Sequence, residues 1–430
     1  MAFSATRAQL NPSSLGEVVE LISLHGPDIV AQVCSLGATI TSVRVGHIEI
    51  SPCHSLATLP ASLEAAGRAN NPYLGATIGR VANRTAGARV RGLSYADKDL
   101  AVLKANDGEN SLHGGAVGFD ARAWHVDCVT VTESYAAVAL CLTSPEGEEG
   151  FPGHLKVRAV YTLAASSAST LRGCAKLYIE YRASLAAGQS QSMVTPVSLT
   201  NHTYWNLSGT PPNLKDLPPG AALGHELQLN CSRLVPLRES DWLPPADGSI
   251  SLCATASGGG GAGERGGVGA LDFRSPATVR EKFEVLSDGP GGDLSRGFNA
   301  FLLMDSWAPP PSLHPLEEAG EEEGLPHSPS LVSRLRPLGS LCDPASGRRM
   351  NISTTAPGVQ LYSNFGYPPL SAGSTICLET GYPPDSANTS FNSIPRCLLR
   401  AVCLCTLCKD RPEDSVPESI VDLTCHEFQW

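Results

Sequence analysis

Residues 177–183 read Leu-Tyr-Ile-Glu-Tyr-Arg-Ala, and their apolar and polar side chains alternate with a period of two. Successive side chains of a β-strand point to opposite faces. In such a strand Leu177, Ile179 and Tyr181 would face a core, while the glutamate and arginine between them would face the other way. The same alternation recurs in residues 129–142 and 157–161. These segments predict half-buried antiparallel strands.

The chain around these strands is rich in residues that interrupt regular structure, with 42 glycines and 33 prolines. Long helical periodicity is hard to find in it. The predicted fold class is therefore all-β, a large antiparallel β-sandwich rather than a βαβ fold. We expect one such domain over residues 1–400.

Composition and charge narrow the range of functions. The formal net charge of −11 argues against a nucleic-acid interface, because that would need a basic face. No apolar stretch approaches the roughly 20 residues of a transmembrane helix, and the first residues lack the apolar region of a signal peptide. We therefore expect a cytoplasmic monomer without a membrane partner. Its 14 cysteines would then be mostly free, buried thiols.

Two segments have the composition of surface insertions. Residues 254–269 are rich in glycine, with too few side chains to pack. Residues 306–339 combine prolines with an acidic patch, which cannot bury enough apolar area to offset the entropy of ordering. Both are interpreted as loops that leave one domain.

Clusters of polar residues interrupt the strand pattern. They are residues 71–84, which end in Asn83 and Arg84, residues 110–115 with His113, residues 195–207 with His202, and residues 357–380 with Gln360 and Glu379. Each has a purely structural explanation when taken singly. His113 can cap a glycine turn, and His202 can be a hydrogen-bonded, half-buried histidine. Glu379 can face outward from an edge strand, and Arg84 can be a solvated surface charge.

Together the clusters fit the binding and ring opening of a sugar. Neutral hydroxyls are bound by Asn, His, Arg and Gln side chains around an aromatic platform. Opening a hexose ring removes a proton from the anomeric hydroxyl and gives one to the ring oxygen. A carboxylate and a histidine on opposite sides of the sugar can do both by general acid–base catalysis.

The ordered motifs also resemble a known family. They are Gly-Arg-Val-Ala-Asn-Arg (79–84), Asn-Ser-Leu-His-Gly-Gly (110–115), Ser-Pro-Glu-Gly-Glu-Glu-Gly-Phe-Pro-Gly (144–153), Thr-Asn-His-Thr-Tyr-Trp-Asn-Leu (200–207), Pro-Gly-Val-Gln-Leu-Tyr (357–362) and Cys-Leu-Glu-Thr (377–380). In this order they resemble the aldose 1-epimerases, the galactose mutarotases. The resemblance runs from about residue 5 to residue 400, apart from the two insertions. It implies the mutarotase type of antiparallel β-sandwich.

The resemblance also implies roles for single residues. Glu379 matches the general base that takes the proton from the anomeric hydroxyl, and His202 matches the general acid that protonates the ring oxygen. The matching substrate-binding positions are Asn83, Arg84, His113 and Gln360. No metal and no organic cofactor are implied. These roles require Glu379 to be ionised and His202 to be at least partly protonated near neutral pH.

Two departures from the family pattern stand out. Residues 297–301, Gly-Phe-Asn-Ala-Phe, match a Gly-Phe-Asp-His-Asn-Phe segment whose aspartate binds sugar hydroxyls, so that Asn299 stands at a substrate-binding position without the carboxylate. After Arg400 the resemblance ends. We expect residues 401–430 to be a divergent, poorly ordered tail, with the family's closing strand lost or replaced, which would expose a sheet edge.

Three alternatives remain open at this stage. The tail carries Cys403, Cys405, Cys408, Cys425 and His426, which are loosely spaced like a zinc site. The chain could also be a sugar-binding or regulatory protein with impaired turnover. A third hypothesis, epimerisation of phosphorylated sugars, would need a basic cluster beside the cleft. The main prediction is an isomerase that interconverts the α and β anomers of free glucose or galactose.

Overall fold

The fold is described by a computed structural model. It describes residues 2–10, 18–53, 72–95, 98–166, 174–188, 193–235, 237–238, 240–244, 251–252, 268–286, 297–306, 334–363, 370–386, 388 and 398–408.

The strands of the first half of the chain are β1 (Ser4–Gln9), β2 (Glu20–His25), β3 (Ile29–Cys34), β4 (Thr39–Val45), β5 (Ile48–Glu49), β6 (Thr77–Ile78), β7 (Arg84–Thr85), β8 (Arg89–Tyr95), β9 (Lys98–Val102), β10 (Ser111–Leu112), β11 (His125–Val131), β12 (Tyr135–Ser144), β13 (Leu155–Ala165) and β14 (Cys174–Leu185).

The second half contains β15 (Thr200–Asn201), β16 (Tyr204–Trp205), β17 (Glu226–Leu229), β18 (Arg233–Val235), β19 (Ser251–Leu252), β20 (Ala277–Thr278), helix α1 (Val279–Leu286), β21 (Asn299–Leu303), β22 (Arg336–Cys342), β23 (Arg349–Thr354), β24 (Gly358–Tyr362), β25 (Ile376–Gly381) and β26 (Leu398–Cys408). Short 3-10 helices are formed by Ala86–Ala88, Phe119–Ala121, Glu148–Gly150, Leu214–Asp216 and Val268–Leu271.

Three large sheets contain most of these strands, and the others form two-stranded sheets. A five-stranded sheet has the order β1-β2-β3-β4-β5, and a six-stranded sheet has the order β16-β25-β24-β21-β18-β19. The nine-stranded sheet has the order β11-β12-β13-β14-β26-β23-β22-β17-β20. Neighbouring strands in each are antiparallel. The predicted all-β, antiparallel fold is confirmed.

One continuous hydrophobic core joins the three sheets. Leu140, Val157 and Ile179 of the nine-stranded sheet belong to the same cluster as Ile22 of the five-stranded sheet and Val359 of the six-stranded sheet. All five are at most 4% exposed. Burying an aliphatic side chain of this size contributes roughly 1.5–3 kcal/mol. A core enclosed between sheets is the packing of a β-sandwich.

Strand β14 shows where alternation predicts burial and where it does not. Leu177, Ile179 and Tyr181 are buried as predicted. Glu180, on the opposite face, is also buried, and its carboxylate accepts from Nε of Arg182 at 2.5 Å. The polar face of this central strand is therefore buried at Glu180, while the side chain of Arg182 stays partly exposed.

The expectation of a poorly ordered tail from residue 401 is wrong for residues 401–408. Strand β26 inserts in the middle of the nine-stranded sheet, with Cys403 opposite Ile179 of β14 and Cys405 opposite Ile352 of β23. A closing strand is therefore present, in a sequence that differs from the family pattern. It fills the space between β14 and β23, so that neither presents an open edge there.

Other predicted segments lie partly or wholly outside the described residues. Residues 409–430, including Cys425 and His426 of the hypothetical zinc site, are outside them, as are residues 254–267 and 307–333 of the two predicted insertions. The second predicted insertion ends earlier than expected, because residues 336–339 belong to β22.

Two further expectations concern membranes and cysteines. Among the described residues, no helix combines the length and apolar character needed to cross a membrane. Among the described residues, Cys34, Cys128, Cys141, Cys231 and Cys377 are free thiols. Cys174 is disulfide-bonded.

Candidate active site

The six-stranded sheet places the main polar residues side by side. Gln360 of β24 lies directly opposite Glu379 of β25. On the other side of β25, β16 places Tyr204 opposite Cys377. His202 lies between the short strands β15 and β16, two residues before Tyr204, and so comes close to the same part of β25.

His202 and Glu379 form the centre of this site. Nε2 of His202 lies 3.4 Å from a carboxylate oxygen of Glu379, and both residues are buried. Burial raises the pKa of Glu379 to about 8, although a hydrogen bond from Cys377 and the charge of Arg84 act in the opposite direction. Burial likewise lowers the pKa of His202 to about 4.

These two pKa shifts contradict the expectation that Glu379 is ionised and His202 is partly protonated near neutral pH. In the free protein at neutral pH the carboxyl is mostly protonated and the imidazole is neutral, because a charged form is costly away from water. The pair nevertheless holds the same number of protons as in the expected charged form. Between the two pKa values the pair holds one proton, and its transfer across 3.4 Å turns the neutral pair into a carboxylate and an imidazolium.

His113 faces the same space as a neutral hydrogen-bond donor. Its ring lies 5.4 Å from that of His202, measured between centroids. Burial, followed by the neighbouring His202 and Arg84, lowers its pKa well below 6.5. Its Nδ1 accepts the backbone N–H of Asn83 at 3.1 Å. The proton of the neutral imidazole therefore sits on Nε2.

The loop that carries His113 is held by the motif of residues 144–153. A carboxylate oxygen of Glu149 accepts the backbone N–H of Ala116 at 2.8 Å. Gly114 has φ +89°, and a Cβ there would lie 1.9 Å from the carbonyl oxygen of Gly79. Only glycine permits this close approach of the two loops.

Arg80 anchors the same motif from inside. Its guanidinium is buried and donates to the hydroxyl and carbonyl of Ser144 and to the carbonyls of Pro145 and Pro152. A further N–H lies 3.2 Å from the hydroxyl of Thr195. These contacts commit Arg80 to the protein itself, so its guanidinium is not available for the phosphate of a phosphorylated sugar.

A chain of side-chain amides borders the site. The backbone N–H of Arg84 donates to Oδ1 of Asn83 at 2.9 Å. Nδ2 of Asn83 then donates to Oε1 of Gln360 at 3.0 Å, and Nε2 of Gln360 donates to Oδ1 of Asn299 at 2.6 Å. A backbone N–H can only donate, so the side-chain atom of Asn83 that faces it must be the amide oxygen. That choice in turn fixes which end of the next two amides is oxygen and which is nitrogen. The amide NH2 of Asn299 is left as the terminal donor.

The spacing of the central residues would also suit a metal ion. One ligand atom each from His113, His202 and Glu379 lies within 4.8 Å of the others. The protonation pattern argues against this use. With Nδ1 of His113 engaged by Asn83, only Nε2 is left, and in the neutral ring that nitrogen carries a proton rather than a free electron pair. The set is better suited to hydroxyl groups.

Comparison with known proteins identifies the family. The family model described as aldose 1-epimerase matches residues 20–247, more than half of the chain. The chain belongs to the aldose 1-epimerase family. Galactose mutarotase from Bos taurus is 30% identical over 402 residues, covering 90% of this chain and 92% of the relative. Aldose 1-epimerase from Escherichia coli K12 is 27% identical over 394 residues, with the same coverage.

A solved structure agrees with the fold assignment within the family. The galactose 1-epimerase from Lactobacillus acidophilus NCFM superposes with a TM-score of 0.69 at 19% sequence identity, covering 95% of this chain and all of that one. At this identity the likeness concerns the fold. The sheets described above therefore share the fold of that protein.

The sequence-predicted residues of this family member come together in one place. Glu379, His202 and His113 meet at the centre, while the amide chain of Asn83, Gln360 and Asn299 forms one border. Arg84 is joined to them through its backbone N–H and through its charge.

Sequence reasoning missed other residues of the same site. Asp107 binds Nε of Arg84 at 2.6 Å. Tyr73, half-buried, stacks edge-on against His113 with 4.7 Å between ring centroids and lies 5.7 Å from His202. Cys377 lies 3.5 Å from Nδ1 of His202. Tyr73 and Cys377 belong to motifs already singled out, but Asp107 does not, and its pairing gave no local signal.

Proposed function

We propose that this protein is an aldose 1-epimerase that interconverts the α and β anomers of free hexoses such as glucose and galactose. The observation that carries the proposal is the His202–Glu379 pair, a buried acid and base 3.4 Å apart, bordered by neutral donors for hydroxyl groups. The names of the relatives, galactose mutarotase and aldose 1-epimerase, support the same reaction.

The reaction begins with two proton transfers. The Glu379 carboxylate takes the proton of the anomeric hydroxyl, while Nε2–H of the His202 imidazolium protonates the ring oxygen. The bond between C1 and the ring oxygen breaks, and its electron pair stays on that oxygen as C1 becomes an aldehyde carbon. Rotation about the C1–C2 bond then presents the other face of the aldehyde. The reverse transfers close the ring as the second anomer.

The buried pair supplies the charge state that these steps need. Its single proton can reside on either partner, and the form with a carboxylate and an imidazolium is the one competent for ring opening. A sugar in the site contributes an anomeric hydroxyl that donates to the carboxylate, which favours that form. No electron leaves or enters the sugar, so the chemistry calls for proton transfer alone and for no cofactor.

The surrounding residues hold the sugar in place. His113 donates Nε2–H to a hydroxyl oxygen, the Asn299 amide donates at the far end of the amide chain, and Tyr73 offers an aromatic surface. Arg84 is held by Asp107 and presents charge-assisted donors. Neutral and charged donors around an aromatic surface suit a polyhydroxylated ligand.

The proposal is tested by following anomer exchange directly. Freshly dissolved α-D-glucose and α-D-galactose are monitored by polarimetry with the wild type, Glu379→Gln and His202→Asn. Both variants should lose about 10²–10⁴-fold in kcat, because each removes one partner of the proton exchange. His125→Asn is a matched control on the edge strand β11, where the side chain is exposed.

The outcome separates an enzyme from a sugar-binding protein. Turnover by the wild type that both site variants lose supports the proposal. If the wild type binds hexose but does not accelerate exchange, the chain is the impaired, sugar-binding relative considered as the alternative. Near-wild-type turnover by either site variant would show that its assigned role is wrong.

A further inference from the structure

Cys377 lies next to both the proposed acid and the proposed base, yet the reaction described above makes no use of it. The residue is fully buried in β25, two positions before Glu379 and therefore on the same face of the strand. Its sulfur lies 3.5 Å from Nδ1 of His202, the ring nitrogen that does not face Glu379. The thiol is also hydrogen-bonded to the carboxyl of Glu379.

A thiol can donate one hydrogen bond and accept another at the same time. We propose that Cys377 is a positioning residue for the ionised acid–base pair, whose sulfur accepts Nδ1–H of the His202 imidazolium while its S–H donates to the Glu379 carboxylate. The inference rests on the proposed function, because it assigns a partner to that acid and that base. It adds a residue that contacts both of them without touching the sugar.

The protonation state of Cys377 agrees with this role. Burial and the neighbouring Glu379 raise the pKa of the thiol well above 9, so the S–H donor is present throughout the neutral range. When the pair is neutral, the same thiol meets an uncharged carboxyl and an uncharged imidazole, and the two bonds are weaker. Hydrogen bonds to charged groups are about twice as strong as neutral ones. The sulfur therefore favours the ionised form.

Other titratable or charged groups face the pair and must be separated from this effect. They are Tyr73, Tyr204, Tyr362, His113 and Arg84. Burial raises the pKa of Tyr204 well above 10 and lowers the pKa of His113 well below 6.5. Neither group titrates near pH 8, where Glu379 does.

The test compares Cys377→Ala with Cys377→Ser by measuring kcat, KM and the pH dependence of kcat/KM for α-D-galactose. Alanine removes both hydrogen bonds. The hydrogen bond from the thiol lowers the pKa of Glu379. Without it the alkaline limb of the pH profile of kcat/KM should move to higher pH. We expect kcat to fall by roughly 10- to 100-fold, the loss of a hydrogen bond to a charged group, with KM nearly unchanged. Serine keeps a donor and an acceptor and should restore both kcat and the limb.

The experiment distinguishes a positioning role of Cys377 from a loss of packing and from a failure of the proposed function. Cys377→Val, which fills the space without polar atoms, replaces the alanine variant if that protein does not fold. An unmoved alkaline limb in the alanine or valine variant, or equal losses with serine and alanine, would overturn the inference. If Glu379→Gln or His202→Asn is fully active, the proposed function itself has failed. Inactive Glu379 and His202 variants beside an unaffected Cys377→Ala would refute only the inference about Cys377.

Discussion

The backbone N–H of Asn83 donates to Nδ1 of His113 at 3.1 Å, and this contact determines what the histidine can offer a ligand. Both residues adopt left-handed backbone conformations, with φ +62° at Asn83 and φ +52° at His113. Such conformations are uncommon for residues other than glycine. They bring the ends of two short strands, β7 and β10, against each other so that Nε2–H of a neutral imidazole points into the site.

The first prediction concerns His113. We expect His113→Ala to raise KM for galactose by roughly 3- to 10-fold, the loss of one neutral hydrogen bond, with a smaller effect on kcat. Because the imidazole is buried and neutral, this residue should add no limb to the pH profile between pH 5 and pH 8. Steady-state polarimetry at several pH values measures both. A limb that disappears in His113→Ala would show that His113 titrates during turnover.

The pH profile of the wild type follows from the buried pair. Below a pH of about 4 His202 becomes protonated while Glu379 already holds its proton, so no base remains. Above a pH of about 8 Glu379 loses the last proton of the pair, so no acid remains. We therefore expect a bell-shaped dependence of kcat/KM with limbs near these values. A profile that keeps rising beyond pH 9 would contradict the assignment of the alkaline limb to Glu379.

The same burial has a cost in stability that reverses the usual sign for a carboxyl. The folded protein keeps the proton on Glu379 up to about pH 8, whereas an unfolded glutamate loses it near 4.5. Between these values the folded state holds more protons at Glu379, so the contribution of this carboxyl to the free energy of unfolding falls as pH rises, by at most about 1.4 kcal/mol per pH unit. Up to about pH 6.5 His202 acts in the opposite direction, because its lowered pKa means that the unfolded state binds the extra proton there.

Glu379→Gln should remove this penalty because the amide does not titrate. We expect the variant to melt at a higher temperature than the wild type at pH 8, with the difference shrinking toward pH 5. Thermal unfolding at both pH values measures it, and Glu226→Gln on β17, half-buried and outside the site, serves as the control. An equal difference at both pH values would point to packing instead.

Asn299 supplies a prediction about affinity. Its Oδ1 is already engaged by Gln360 at 2.6 Å, so the group left for a ligand is the amide NH2. Asn299→Asp keeps an oxygen for Gln360 and turns the free group into a charged acceptor for sugar hydroxyls. KM should fall roughly tenfold, about 1.4 kcal/mol, with kcat nearly intact. An unchanged KM would mean that another residue meets these hydroxyls.

Removal of metal ions should leave the rate of anomer exchange unchanged. With Nδ1 of His113 accepting from Asn83, its Nε2 is protonated and does not suit a metal ligand. Dialysis against a strong chelator followed by polarimetry tests this, with chelator and excess Zn²⁺ added together as the control. A loss of activity that zinc restores would revive a metal site, either at His113, His202 and Glu379 or among the cysteines near the C-terminus.

Strand content and the polar motifs could be predicted from the sequence because both are local. A half-buried strand buries every second side chain, so the alternation alone predicts that Leu177, Ile179 and Tyr181 share the buried face, whichever strands lie beside them. Motif order likewise predicted that His202 and Glu379 belong to one site. The family and the central residues of the candidate site could therefore be predicted at this level.

Tertiary structure decided what depends on neighbours distant in the chain. Whether residues 398–408 form a strand depends on the facing strands β14 and β23, which the sequence of that segment does not contain. The pairing of Arg84 with Asp107 and the contact of Cys377 with His202 likewise arise only when separate loops meet.

The charge state of the site was the largest departure from the sequence-based expectation, for the same reason. A side chain's pKa depends on how much water and which charges surround it. The sequence predicted an ionised Glu379 beside a partly protonated His202. The folded protein buries both, which raises the pKa of the first and lowers that of the second. Residue types determined which groups can exchange a proton, and only burial determined where that proton rests.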